Sequence, residues 1–302
     1  EKEGGKDVLN KTGYGLFAPV VERIDDSDQK RTRETLFGNS VYLRNHNISQ
    51  WNHEWKAKRT GFHLGSWRME EEEYHAAVVR EGWMDGIKSM EQKIIFDTYR
   101  PQIRMEVVFD KDAVEEAESL RFVIPLKLQK GWKCCYDTAG ENVLLDEEQM
   151  GDVCRDYVTV DTAVSMYDTA LCATLACPDA PMVQVGGFNF GKEQHRIPRE
   201  EDPLLLAWPL NNYWSTNFMA DQSGRMRFVY ELNLHPSFDE KEMRADGIRA
   251  KNPVKVNALA KVRGEQHQLM QCQGNSEALA VFPARETDGI LVLLKNPLDE
   301  AD

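Results

Sequence analysis

Apolar and polar residues alternate along much of this chain with a period of two. In residues 225–235, Met226, Phe228, Tyr230, Leu232 and Leu234 fall on one side. Arg225, Arg227, Glu231 and Asn233 fall on the other, interrupted by Val229. Successive side chains of an extended strand point to opposite faces, so this pattern predicts a strand with one face in a core. Residues 157–166 repeat it, with Val158, Val160, Thr162, Val164 and Met166 against Tyr157, Thr159, Asp161 and Ser165. In residues 121–128, Phe122, Ile124, Leu126 and Leu128 alternate with Val123, Pro125 and Lys127. Pro125 has no amide hydrogen to give to a ladder, which predicts a sheet edge or a bulge there. Residues 104–110, 171–176, 182–185 and 289–295 are further strand candidates, and residues 41–43 and 94–99 are weaker ones.

Helical signals are few. Residues 69–80 carry helix formers, with Glu70 to Glu73 suited to a first turn, but also β-branched Val78 and Val79 and no sustained apolar stripe. Helix and strand both fit that segment. Residues 111–119 and 239–246 could each form one or two helical turns. Strands separated by turn-rich spacers, without strand–helix alternation, predict a mostly β protein built as an antiparallel sandwich. An acidic turn, Glu200-Glu201-Asp202-Pro203, and the pair Asn252-Pro253 mark candidate boundaries. The expected division is a large β domain over residues 1–252 and a strand-rich segment over 253–302. The second segment is short for a complete sandwich and reads as the opening strands of a small β domain.

Composition narrows the partners. A net charge of −13 over 302 residues argues against a nucleic-acid partner, which needs a basic face, and against anionic membranes. No apolar run is long enough for a transmembrane helix. Residues 1–6 are charged and glycine-containing, with no apolar signal-peptide region. The six cysteines, Cys134, Cys135, Cys154, Cys172, Cys177 and Cys272, form no Cys-x-x-Cys pair. They read as reduced, mostly buried thiols, and the expected location is cytoplasmic.

Reactive motifs are scarce. The seven histidines form no HExxH or His-x-Asp pair, so no metal site is expected in this chain. No Gly-x-Ser-x-Gly elbow and no phosphate-binding glycine loop occur. Asp179 and Asp221 sit in turn contexts where local capping is the expected role. Gly186-Gly187 follows a strand without the helix that a phosphate site needs, which points to a tight turn. Asn47-Ile48-Ser49 fits a glycosylation sequon by chance. Tryptophans are dispersed, and each can fill a core or stack on a sugar ring.

The remaining candidate site is Asn211-Asn212-Tyr213-Trp214-Ser215-Thr216-Asn217-Phe218, followed by Ala220-Asp221-Gln222-Ser223-Gly224. It lacks helical spacing and is rich in turn formers, so it reads as an irregular loop held by aromatic anchors. Asn211, Asn212, Tyr213, Trp214, Thr216, Asn217 and Asp221 are its candidates for carbohydrate contact or a domain interface.

This block resembles the Asn-Asn-Tyr-Trp-x-Thr-Asn-Phe…Asp-Gln-x-Gly signature in the C-terminal β region of family 38 glycoside hydrolases, the α-mannosidases. Upstream, Arg155-Asp156-Tyr157, the strand through Asp168 and Asp179-Ala180-Pro181-Met182-Val183-Gln184-Val185-Gly186-Gly187 resemble that region's ordered strands. The segments 122–126, 227–234 and 278–296 resemble flanking strands, and the likeness covers most of residues 35–302. It implies a galactose-mutarotase-like supersandwich. It also implies an N-terminal catalytic domain on the same polypeptide, which would hold the zinc ion and the catalytic Asp. Neither those motifs nor the Gln-Asp-Arg-Arg motif of the family's C-terminal region is found here. The implied role is a non-catalytic β domain that supports the catalytic domain and its substrate cleft. A carbohydrate-binding module for mannose-containing oligosaccharides and an aldose epimerase on the same fold are the alternatives.

Overall fold

The structure, a computed structural model, describes residues 2–3, 6–24, 57–151, 153, 155, 157–188, 203–213, 221–254, 270–271, 273–274, 276–285 and 287–296. The strands run β1 (Lys2–Glu3), β2 (Lys6–Asp7), β3 (Ala18–Ile24), β4 (Ala57–Gly61), β5 (His63–Glu71), β6 (His75–Met84) and β7 (Ile87–Asp97). There follow β8 (Gln102–Lys111), β9 (Glu118–Pro125), β10 (Lys133–Thr138), β11 (Glu141–Leu144), β12 (Val158–Thr159), β13 (Ala163–Tyr167) and β14 (Cys172–Ala176). The last are β15 (Met182–Val185), β16 (Leu204–Asn211), β17 (Gly224–His235), the helix α1 (Glu240–Lys251), β18 (Glu277–Pro283) and β19 (Ile290–Lys295).

A large sheet of nine strands has the order β11-β10-β13-β14-β17-β8-β7-β6-β5, and a small sheet of six has the order β12-β15-β16-β9-β3-β4. Their pairings are antiparallel throughout. The alternation in β17 has the expected result. Tyr230, Leu232 and Leu234 enter the core between the sheets, with Met226 and Phe228 packed against it. On the opposite face Arg104 and Arg227 pair with Glu106, and Arg104 also with Glu231. Phe17 stacks on Phe122 of the small sheet at 4.3 Å between ring centroids and meets Tyr230 of the large sheet edge-on at 5.9 Å, so it bridges the layers.

The small sheet differs from the large one because its outer face is buried too. Val20, Val123, Leu204 and Leu206 form one outer cluster, and Ile24, Trp208 and Tyr213 another. All of β9 is buried. That corrects the expectation for Pro125. β9 lies between β16 and β3, not at an edge; its ladder with β16 runs without a shift from Phe122 to Pro125, and its ladder with β3 runs from Glu118 to Val123. The proline is tolerated because it is the last residue of the strand, where its carbonyl accepts from Asn10 N at 2.8 Å. The bulge falls on β16 instead, between Ala207 and Leu210, around Pro209.

Two other expectations are corrected, and the choice left open at residues 69–80 falls to strand. Residues 157–166 are two strands, not one: β12 joins the small sheet and β13 the large one. The crossing occurs where the Asp137 carboxylate accepts from the amides of Thr162 and Ala163 and from the Thr162 hydroxyl, a set of bonds that replaces ladder pairing. Residues 69–80 are the end of β5, a turn and the start of β6, not a helix. Val78 and Val79 sit well on a pleated surface, and Glu72 N closes the turn onto His75 O at 2.9 Å. Residues 111–119 hold no helix and run from β8 into β9. Residues 41–43, with Asn47, Trp51 and Trp55, lie outside the described residues.

The helix expected at residues 239–246 is present and longer, because Asp239 caps it by accepting from Lys241 N and Glu242 N. It packs Met243 on Cys135 and Ala163 of the large sheet. His235 of β17 holds it by both ring nitrogens, Nδ1 at 2.9 Å from Glu242 and Nε2 at 2.7 Å from Asp246. β18 and β19 pair only with each other among the described residues, and Leu279, Phe282, Leu291 and Leu293 stay exposed.

The helix closely approaches the start of β13 at Gly247. A Cβ there would fall 2.0 Å from Thr162 Oγ1 and 2.6 Å from Thr162 Cβ. Gly247→Ala is therefore expected to destabilise the fold by roughly 1–3 kcal/mol through overpacking. That outweighs the ~1 kcal/mol by which alanine favours a helix over glycine. Urea midpoints of the two proteins check it; a more stable variant would show that contact is looser.

Candidate functional site

β16 ends at Asn211 and delivers the two residues that follow onto the start of β9. Asn212 N donates to Glu118 O at 3.0 Å, and its Oδ1 accepts from Glu118 N at 2.6 Å. Its Nδ2 donates to Val114 O at 2.9 Å. An asparagine side chain offers both a donor and an acceptor, so it can satisfy two backbone strands at once where a carboxylate could not. Asn211 lies half-buried at the strand end. Trp214, Thr216 and Asn217 fall outside the described residues, and Asp221 is half-buried just before β17.

Tyr213 points inward. Its ring meets Trp208 edge-on at 5.9 Å, and its hydroxyl lies 2.8 Å from Ser119 Oγ and 3.0 Å from Glu22 Oε1. Glu22 is 5% exposed and Arg121 is fully buried. Arg121 Nη1 donates to Glu22 Oε1 at 3.0 Å and also to Ser119 Oγ. Its guanidinium lies 4.0 Å from the Trp208 ring centre and 5.6 Å from that of Phe188. Arg59 Nε reaches the other Glu22 oxygen at 2.6 Å. Arg121 Nε and Nη2 have no hydrogen-bond partner among the described residues, and the aromatic faces beside them supply part of the missing stabilisation.

Burial pushes the Glu22 carboxyl up, but Arg121 and Arg59, with the hydrogen bonds from Arg59 and Tyr213, outweigh it and hold the group below its ordinary value. Burial pushes the Tyr213 hydroxyl well up. Glu22 is thus fixed as a carboxylate and Tyr213 as a neutral phenol, which suits a permanent clasp better than proton transfer near neutrality. Beside it, Glu118 is held by Lys111 and by Arg23, the latter at 2.8 Å. A small depression opens there, lined by Val21, Lys111, Glu118, Leu210, Asn212 and Gln222.

Other chemistry finds little footing. Burial raises the Cys135 thiol to about 12 and the Cys172 thiol to about 11, so neither is a ready thiolate. Among the described residues no group of three or more His, Cys, Asp and Glu is placed to hold a metal ion. No helix there is long and apolar enough to cross a membrane. Asp179 accepts from Val229 N of β17 at 2.8 Å, a bond between distant segments rather than the local capping expected of it. Gly186 and Gly187 adopt φ of 83° and 103°, which only a turn with glycine accepts easily. Trp208 is buried, whereas Trp67 and Trp83 are exposed.

Sequence reasoning named Asn212 and Tyr213 but missed Glu22, Arg59, Ser119 and Arg121. One signal was present. Glu22 follows Val20-Val21 and Arg121 sits between Leu120 and Phe122, and opposite charges inside two apolar strands suggest a buried pair.

No protein-family model matches this sequence, and no curated protein does. Among solved structures the chain is similar to an α-mannosidase from Enterococcus faecalis V583, with a TM-score of 0.59, 11% identity, and coverage of 91% of this chain and 32% of that one. It is similar in the same degree to a glycosyl hydrolase family 38 protein from Enterococcus faecalis, with a TM-score of 0.59, 10% identity, and coverage of 91% and 34%. A galactose 1-epimerase from Lactobacillus acidophilus NCFM overlaps 57% of this chain with a TM-score of 0.34 and 8% identity. At these identities the likeness is one of fold. The chain spans about a third of the length of either hydrolase.

Removing Glu22 leaves a buried, uncompensated guanidinium. Glu22→Ala is expected to lose about 3–5 kcal/mol of stability. Because folding lowers the Glu22 pKa, its contribution is present at neutral pH. It fades as the pH falls from the unfolded carboxyl's value, about 4.3, through the lower folded one. Urea midpoints measured from pH 7 down to pH 3 should fall less steeply for Glu22→Gln than for the unaltered chain. Parallel curves would remove Glu22 from the acid response.

Proposed function

We propose that this chain is the non-catalytic C-terminal β domain of an α-mannosidase-type retaining glycoside hydrolase. The observation that carries this reading is the fold likeness to α-mannosidase chains over 91% of the protein, which nevertheless makes up only about a third of their length. The inward-turned Asn212 and Tyr213 favour it as well, since they spend their polar groups on strands of their own domain. In this reading an N-terminal catalytic domain of the same polypeptide holds the zinc ion and the catalytic Asp. The β domain supports it and helps to shape the substrate cleft. The buried Cys135, Cys172 and Cys177, which form no disulfide among the described residues, are in keeping with a cytoplasmic setting.

A second reading, a carbohydrate-binding module, draws on Tyr74 and Tyr99. Their rings lie 6.2 Å apart, and both side chains are exposed, 60% and 73%. Exposed aromatic faces of that kind stack on sugar rings. Calorimetry with mannose oligosaccharides separates the two readings, since only the module requires heat of binding that Tyr99→Ala removes.

The chain by itself is expected to release no nitrophenol from a nitrophenyl α-mannoside, with or without added zinc. Robust metal-dependent turnover by the isolated chain would overturn the non-catalytic role.

A further inference from the structure

The inner face of the large sheet extends beyond the layer that covers it. β5 is the edge strand of that sheet, and it is exposed along nearly its whole length. Its ladder sets Leu64, Trp67 and Met69 opposite Gly82, Arg80 and Val78, and the bulge between Leu64 and Ser66 keeps all three on one side. Through β6 and β7 that side continues into Met90, Gln92 and Ile94, and then into Phe109, Val107 and Met105 of the core. The opposite side of β5 carries Arg68 and Glu70 in surface ion pairs. So three large apolar side chains, 51%, 61% and 58% exposed, stand on the core-facing side with no cover among the described residues. They lie past the point where Arg80 and Gln92 tie the carbonyls of Leu16 and Phe17 across the sheet.

A long apolar edge strand is a liability when bare, because its free backbone groups and side chains invite pairing. We propose that the β5 edge, centred on Trp67 and Met69, is the surface on which the catalytic part of the polypeptide docks. This rests on the function proposed above. The chains of similar fold are about three times as long as the part matched here, which supplies the occupant. A second copy fits poorly. Each carries a net charge of −13, and the edge ends in the run Glu70 to Glu73. Glu71 and Glu73 have no ion-pair partner among the described residues. The fitting partner surface is therefore apolar at its centre and basic where it faces those carboxylates.

Met69→Cys tests this by peptide-resolved maleimide labelling, in the 302-residue chain and in the complete polypeptide. Glu91→Cys on the opposite face serves as the control. Cys labelling at 69 is expected to be fast in the chain alone and at least roughly tenfold slower in the complete polypeptide, with the control unchanged. Equal rates at 69, in a complete polypeptide that hydrolyses nitrophenyl α-mannoside, overturn the docking surface and leave the proposed function standing. Protection at 69 without any such hydrolysis overturns the proposed function, and with it the catalytic identity of the occupant. Protection in the 302-residue chain that grows with its concentration makes a second copy the occupant and overturns the proposal.

Discussion

A buried charge pair, Arg121 with Glu22, sets the terms for the small sheet. A guanidinium with no solvent exposure is tolerated only where a carboxylate and further hydrogen bonds meet it. Those groups come from separate elements: Glu22 from β3, Ser119 from β9, Arg59 from β4 and Tyr213 from beyond β16. A shift of one residue in any of these strands would turn its polar member toward the opposite face, in the case of β9 among Phe122 and Ile124. The pair therefore specifies register across the sheet, whatever its net contribution to stability.

The two sheets differ in consequence. The large sheet keeps a charged outer face around β17, β8 and β7, with α1 covering its β13–β14 end, whereas the small sheet has apolar clusters on both sides and needs polar pairs between them. The signature segment belongs to that second requirement. Asn212 closes backbone bonds at Glu118, Tyr213 closes the Glu22 clasp, and both act on their own domain. Exposed apolar side chains lie elsewhere, on β18 and β19 and at the overhang of β5, past the residues that tie the covering layer to the large sheet.

Much of the fold could be read from the sequence wherever a strand has one wet and one dry face. β8 follows its alternation residue for residue, and β17 follows it over its first half. The sequence misled where that asymmetry fails. β9 is buried on both faces, so its Pro125 suggested an edge that does not exist. β5 is exposed on both faces, so its residues looked as helical as extended. The break between β12 and β13 depends on Asp137, more than twenty residues away in sequence, and no local pattern shows it. α1 was legible because its cap, Asp239, is local. The site followed the same rule. Asn212 and Tyr213 stood out in one polar aromatic block, whereas their partners on β3 and β9 are separated from them by some 90 to 190 residues.

The role of Tyr213 as a structural clasp on Glu22 is tested most directly by a double-mutant cycle. Stabilities of the unaltered chain, Glu22→Gln, Tyr213→Phe and the double variant would be measured by urea unfolding. A clasp is expected to give a coupling energy of about 1–3 kcal/mol, because the two groups share one buried hydrogen bond. Additive effects, within about 0.5 kcal/mol, would contradict it and return Tyr213 to the candidates for contact with another molecule.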